Sequence, residues 1–298
     1  MRWPTIGICA AFTLLAACGN GIGLTGSGGG LTGSQTSVVQ HPRPNGAPDV
    51  VIFSVSGHEG AVSAFACTSG DNFPYLGEPG SARAVIEQTF LDLGYTLYTI
   101  DFSDRLGAHD TNNNGAVDAG DHLGFDQLLF EMQFVFDNYI DGIANPTRIV
   151  LVGHSHGANW MHLATAAVSH IPVDHMISLD AICFLWECEL STEVADWLQT
   201  AALNPLVDIS EPCDSVTVQG KSSLQDVKDV VFDHVRYNIE IHSSDFFTSD
   251  CCSNTRLDGT TTDIVTWQSP ESHSAVDAAN SSAMTWVVEQ IREIDANR

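Results

Sequence analysis

One segment, RIVLVGHSHGANW at residues 148–160, constrains the fold more than any other part of the chain. It opens with Ile, Val, Leu and Val in a row, which predicts a buried strand, and it ends in residues that favour a helix. Between them lie Gly153, Ser155 and Gly157, a G-x-S-x-G sequence. Such a turn needs glycines because a side chain would collide with the neighbouring strand or helix. The segment therefore predicts a sharp, strained turn that presents the hydroxyl of Ser155.

A rival interpretation takes the histidines on either side of the serine as metal ligands. His154 and His156 form an H-x-H pair, and His58 would be the third ligand. A metal site of this kind needs a carboxylate or a further histidine close by, and flanking glycines do not serve it. We therefore favour the interpretation in which Ser155 is the functional group.

The chain alternates between strand and helix patterns from residue 49 onward. We predict strands at residues 49–57, 95–102, 148–153, 174–180, 235–242 and 262–267. Helices are predicted at residues 81–94, 122–142 and 156–169, and a closing helix has a buried side formed by Val276, Ala279, Ala283, Val287, Ile291 and Ile294. This alternation indicates an α/β fold: a mostly parallel sheet of about six strands with helices on both faces.

Residues 49–298 resemble the α/β-hydrolase superfamily, and within it bacterial lipases and esterases, some of which carry the same GHSHG sequence. The resemblance implies that Ser155 is a nucleophile and that the backbone N–H of His156 is one donor to an oxyanion. The second donor would come from the loop SGHEG, at Gly57 or His58. It also implies an ester or lipid substrate and no organic cofactor. The chain departs from the family in having little sequence before the first strand, so the usual antiparallel first strands are not expected.

The general base and the acid that orients it follow from the same resemblance. His273 lies between the last predicted strand and the closing helix, where it can reach Ser155, whereas His242 lies at a strand two elements earlier. Two carboxylates compete for the acid. Asp245 follows the penultimate strand, where most of the superfamily keeps it, but we favour Asp180 because it is the only carboxylate at its strand end. A peptidase, thioesterase or acyltransferase would use the same triad, and a non-catalytic calcium-dependent binding protein is the alternative of another class.

Residues 110–121, DTNNNGAVDAGD, match the pattern of a twelve-residue calcium loop. The expected ligands are Asp110, Asn112, Asn114, the carbonyl of Ala116, Asp118 and Asp121. Two of these side chains are neutral amides, so we expect weak binding, with a Kd on the order of 10⁻⁴ to 10⁻³ M, and a structural role. The alternative is a polar turn without a metal.

Six cysteines remain after the N-terminal segment, and an even number in an exported chain favours disulfides. They are Cys67, Cys183, Cys188, Cys213, Cys251 and Cys252. Cys183 and Cys188 are close enough in sequence to predict a local bridge within a cap or insertion at about residues 181–230. The apolar side chains of this segment would line an acyl pocket or pack the cap onto the sheet. These are Phe184, Leu185, Trp186, Trp197 and Leu198.

The N-terminal segment predicts export and a lipid anchor. Residues 1–17 have the layout of a signal peptide, and LAAC, ending at Cys18, resembles the lipobox of bacterial lipoproteins. Acylated Cys18 would hold the protein at the cell envelope, at the outer membrane or cell surface, through a Gly-, Ser- and Pro-rich tether at residues 18–48. The net charge of −26 excludes nucleic acid as a partner, because binding it requires a basic surface.

Overall fold

A computed structural model describes residues 40–58, 73–116, 121–183, 186, 190, 194, 212–221, 225–245 and 252–298. The predicted signal peptide, Cys18 and most of the tether lie outside these residues, and the anchor stays a prediction. Within the described ranges, none of the helices combines the length and the apolar character that crossing a bilayer requires.

The structure gives the bounds of ten strands and four α-helices. The strands are β1 Val50–Val55, β2 Leu97–Phe102, β3 Arg148–His154, β4 Val173–Leu179, β5 Ser215–Val216, β6 Gln225–Asp226, β7 Val230–Val231, β8 Val235–His242, β9 Thr255–Arg256 and β10 Ile264–Gln268. The helices are α1 Ala82–Asp92, α2 Phe125–Tyr139, α3 His156–Ala167 and α4 Ser282–Ala296.

Six of the strands form one sheet in the order β10-β8-β4-β3-β1-β2, and every pairing in it is parallel. The short strands form two separate pairs, β5 with β6 and β7 with β9. From β1 the chain first moves outward to the edge strand β2. It then returns to β3, on the other side of β1, and continues outward through β4, β8 and β10. The strand order therefore reverses between β1 and β3.

Alternating side chains of the sheet pack against helices on both faces. In β1, Val51 and Phe53 belong to the apolar cluster that includes residues of α2 and α3, whereas Val50 and Ile52 pack with α1 and α4. Strands buried on both faces explain the continuous apolar runs in the sequence. The prediction of an α/β fold, with a parallel sheet of about six strands covered on both faces, is therefore confirmed.

The closing helix begins later than its apolar pattern predicts. Val276 is buried as expected, but it follows a short 3-10 turn at His273–Ala275, and α4 begins only at Ser282. The hydroxyl of Ser281 accepts the N–H of Met284 at 3.0 Å and so caps the helix. The prediction that Val276 and Ala279 lie on this helix is therefore wrong. The helical spacing of apolar residues extends to the N-terminal side of the capping Ser281, where the chain is not α-helical.

The predicted bridge between Cys183 and Cys188 is also wrong. Cys183 is bonded to Cys213, with 5.7 Å between the two Cα atoms. Cys213 reaches this position by tertiary contacts, since the side-chain amide of Asn159 in α3 donates to the carbonyl of Ile182 and lies 3.9 Å from the Cys213 sulfur. Cys252 is disulfide-bonded as well. The other cysteines lie outside the described residues: Cys67, Cys188 and Cys251.

Three histidines are held in the neutral form mainly by burial. Desolvation lowers the pKa of His154, His162 and His234, each to about 4, from the ordinary value of 6.5. Between these two pH values the unfolded chain binds more protons than the folded chain. Each histidine therefore makes the free energy of unfolding fall as the pH is lowered from 6.5 to 4.

Replacing His162 with asparagine tests this linkage, because an amide keeps the hydrogen bond that the ring Nδ1 donates to the carbonyl of Val230. The variant should lose stability less steeply than the unmutated protein between pH 6.5 and pH 4, by up to about 1.4 kcal/mol per pH unit. Urea unfolding of both proteins at several pH values measures the two slopes. Equal slopes would contradict the assignment of a depressed pKa to His162.

Candidate active site

The reversal of strand order between β1 and β3 creates a crevice at the carboxyl ends of the strands. In open α/β sheets this is where ligands bind, because the loops leaving the two central strands diverge to opposite faces. The loops that follow β1, β3, β4, β8 and β10 all end at this edge, since the strands are parallel. They carry Gly57, Ser155, Asp180, Asp245 and His273, respectively.

Ser155 occupies the strained turn that the sequence predicts. It lies between β3 and α3 with φ 58° and ψ −131°, a conformation that costs a non-glycine residue about 1–3 kcal/mol. A Cβ atom on Gly153 would lie 2.7 Å from the Cα of Ala158, and one on Gly157 would collide with the carbonyl oxygen of Val55. Both glycines are thus required for α3 to pack this closely on the sheet.

His273 and Asp180 form a hydrogen-bonded pair beside this turn. The ring Nδ1 of His273 lies 2.5 Å from Oδ2 of Asp180, while the backbone N–H of Ser243 donates to Oδ1 at 2.6 Å. Asp180 is buried, which alone would raise its pKa, but the hydrogen bonds from His273 and Ser243 outweigh burial and lower it. The carboxylate is therefore ionised at neutral pH and accepts a hydrogen bond from the Nδ1–H group of His273.

Asp245, the alternative acid, contacts the same histidine at a different atom. Its Oδ2 accepts the backbone N–H of His273 at 2.8 Å. The two candidate carboxylates thus flank one residue, Asp180 at the ring and Asp245 at the main chain. His242, the competing histidine, instead faces Glu240, with 3.3 Å between Nε2 and Oε1.

The ring of His273 lies over the residue that precedes the serine. It stacks on the ring of His154 with 4.6 Å between centroids, and Nε2 of His154 lies 2.9 Å from the carbonyl oxygen of His273. Four segments distant in sequence therefore meet here: the turn at Ser155, the end of β4, the loop after β8 and the turn before α4.

The loop after β1 passes directly beside Ser155. A Cβ atom on Gly57 would lie 2.5 Å from the Cβ of Ser155, so only glycine fits. The N–H of Gly57, one of the two candidate oxyanion donors of this loop, donates to the hydroxyl of Tyr75 at 3.0 Å, and His58, the other candidate, is the next residue. On the other side, the N–H of His156 belongs to the first turn of α3, where the helix dipole favours negative charge.

A buried carboxylate missed by the sequence analysis fixes the first turn of α3. Asp104 accepts from Nδ1 of His156 at 3.0 Å and from the indole N–H of Trp160 at 2.6 Å. It lies two residues after β2, again at the carboxyl edge of the sheet, and this position was the available signal.

Trp186 is the only described member of the five apolar residues predicted to line or pack the cap. It is fully buried, with ring centroids 4.7 Å from Trp160 and 5.4 Å from His156. Its contacts are thus with α3, behind the serine. The other four lie outside the described residues: Phe184, Leu185, Trp197 and Leu198.

The predicted calcium loop is closed by its own polar side chains. The carboxylate of Asp110 accepts the N–H groups of Asn114 at 3.1 Å and Gly115 at 2.6 Å. Oδ1 of Asn112 accepts from Asn114 at 3.0 Å, and Asp121 accepts the N–H of Thr111 at 3.0 Å.

The donor chemistry of this loop fits calcium, because carboxylate and amide oxygens gather on one short loop and Gly115, at φ 81°, makes the expected sharp turn. Asp118 lies outside the described residues. Within the described part of the chain, no group of three or more His, Cys, Asp or Glu side chains is arranged to hold a metal ion.

No protein-family model matches the sequence, and no curated protein matches it. Similar solved structures include Est1E from Butyrivibrio proteoclasticus with bound ferulic acid, at 14% identity over 86% of this chain and 92% of that chain, with a TM-score of 0.37. The α/β-hydrolase domain-containing protein 10 from mouse has 12% identity over 83% and 90% of the two chains, with a TM-score of 0.39. A metagenome-derived lipolytic enzyme has 14% identity over 87% and 100%, with a TM-score of 0.39. All three TM-scores are below 0.5, and we draw nothing about activity from them.

Proposed function

We propose that the protein is a serine ester hydrolase, a carboxylesterase or lipase, that acts through an acyl-enzyme on Ser155. The observation that carries the proposal is the pairing of His273 with an ionised, buried Asp180 next to a serine held at positive φ. A strained nucleophile beside an oriented histidine, at the ligand-binding edge of the sheet, is the arrangement that acyl transfer requires.

In the proposed mechanism the hydroxyl oxygen of Ser155 attacks the acyl carbon, and Nε2 of His273 takes the hydroxyl proton. Asp180 keeps the other ring nitrogen protonated and stabilises the imidazolium that forms. Hydrogen bonds from the backbone N–H groups of His156 and His58 stabilise the negative charge that develops on the former carbonyl oxygen. His273 then gives the proton to the leaving alcohol. In the second half of the reaction His273 takes a proton from water, which attacks the acyl-enzyme and releases the carboxylic acid and Ser155.

Labelling with a fluorophosphonate tests the proposal, because this reagent reacts with activated serines. We expect the unmutated protein to be labelled and to hydrolyse a p-nitrophenyl ester, and Ser155→Ala to lose both reactions. Ser274→Ala, which removes an exposed hydroxyl from the His273 turn, is the matched control and should behave as the unmutated protein. An unlabelled native protein, or label retained by Ser155→Ala, would refute the proposal.

Two asparagine substitutions separate the roles of the carboxylates. Asp180→Asn should lower kcat by up to about 10⁴-fold, because an amide no longer fixes the Nδ1–H tautomer of His273. Asp245→Asn should cost less than about 100-fold, since its amide oxygen still accepts the backbone N–H. Steady-state kinetics on one ester compares them, and a larger loss for Asp245→Asn would exchange the two roles.

We also propose that residues 110–121 bind calcium with a structural role. The side-chain ligands would be Asp110, Asn112, Asn114, Asp118 and Asp121, with the carbonyl of Ala116. The gathered oxygens of the described ligands support the proposal.

Calcium at millimolar concentration should raise the melting temperature, because a ligand that binds only the folded state adds stability by mass action. Asp110→Asn should abolish this increase, while Asp141→Asn, at an exposed position outside the loop, should preserve it. Thermal unfolding with and without a chelator measures the effect. Loss of activity on chelation without any change in melting temperature would contradict a structural role.

A further inference from the structure

A line of hydrogen bonds crosses the site behind Ser155, from the loop after β1 to the turn before α4. The N–H of Gly57 donates to the hydroxyl of Tyr75 at 3.0 Å. The same hydroxyl lies 2.6 Å from Nδ1 of His154, and Nε2 of His154 lies 2.9 Å from the carbonyl oxygen of His273. The mechanism proposed above uses neither His154 nor Tyr75.

The direction of every bond in this line is fixed. A carbonyl oxygen can only accept, so Nε2 of His154 is protonated and donates a hydrogen bond to the carbonyl oxygen of His273. Burial, and after it the charge that the adjacent His273 can carry, lowers the pKa of His154 to about 4, so the ring is neutral and Nδ1 is an acceptor. Tyr75 must therefore donate its hydroxyl proton to Nδ1 and accept the N–H of Gly57 on its oxygen.

His273 is held at three points. Asp180 accepts from its ring, Asp245 accepts its backbone N–H, and His154 donates to its backbone carbonyl. The residue opens a 3-10 turn of only three residues, His273–Ala275, so regular secondary structure contributes little to its rigidity. The bond from His154 is the one that connects it to the oxyanion side of the site.

We infer that His154 is a positioning residue: through Tyr75 it couples the loop of the oxyanion donor to the loop of the general base, so that both are set relative to Ser155. The inference rests on the proposed function. His154 directly precedes Ser155 and its ring stacks on that of His273. One side chain can therefore fix the positions of both loops relative to the nucleophile. As a neutral ring it does not compete for the proton that His273 carries during acyl transfer.

Four variants test the inference. His154→Phe keeps a stacked ring and loses both hydrogen bonds, and we expect kcat to fall about 10- to 100-fold with KM little changed, because the reacting groups are misaligned rather than the substrate weakly bound. His154→Gln supplies one donor and one acceptor, as the neutral imidazole does, and should recover most of the loss. Tyr75→Phe is measured alone and combined with His154→Phe. The double variant should lose no more kcat than the more damaging of the two single variants, since both interrupt one line of hydrogen bonds.

A second measurement does not depend on activity. The Nδ1 proton of His273, bonded to Asp180, should give a downfield proton signal in NMR spectra of the unmutated protein and of His154→Gln. In His154→Phe the signal should broaden or shift. Unchanged kcat and an unchanged signal in His154→Phe would overturn the inference.

The two proposals fail in different ways. An unlabelled, inactive native protein refutes the ester hydrolase, whereas an active native protein with a fully active His154→Phe refutes only the positioning role. A purely structural role for His154 would lower the melting temperature of His154→Phe and His154→Gln alike, with no recovery of kcat by glutamine. That outcome would also overturn the inference.

Discussion

The close approach of α3 to the sheet is the constraint on which the site depends. It is possible only because Gly157 has no side chain where the carbonyl of Val55 passes, and Gly153 has none where Ala158 passes. The approach forces Ser155 into positive φ at the corner. Apolar packing behind the corner offsets this strain, since Trp160 is fully buried and contacts the ring of Trp186.

The electrostatics of the site follow from parallel strand order. Because the strands end at one edge, β4 and β8 deliver Asp180 and Asp245 to the same histidine from adjacent positions. The two carboxylates have different roles because they form hydrogen bonds with different atoms of His273. Asp180, bonded to the ring, determines which ring nitrogen of His273 carries the proton. Asp245, bonded to the backbone N–H, fixes the position of the residue and so of its ring. The neutral His154 then places a ring beside His273 without adding a charge.

The predictions from sequence that agree with the structure rest on local patterns. Apolar runs predicted the strands of the sheet, and the G-x-S-x-G sequence between a strand and a helix predicted the turn at Ser155. Features set by tertiary contact were not predictable: nothing near Tyr75 indicates that its hydroxyl reaches His154, seventy-nine residues away. The pairing of Cys183 with Cys213 is of the same kind, since thirty residues separate them and their neighbour in sequence, Cys188, suggested a shorter bridge.

The predicted calcium loop is connected to the site through the backbone at its base. His109 and His122 form a two-way bridge that closes the loop, and the N–H of Ser103 donates to the carbonyl of Leu123 at 2.8 Å. Asp104, the next residue, holds the first turn of α3 through His156. The base of the loop and this carboxylate belong to one short segment. An ion bound in the loop would therefore make that segment more rigid and so hold Asp104 and the first turn of α3 in place. Loss of the ion would then lower stability and activity together, which is the behaviour that separates a structural ion from a catalytic one.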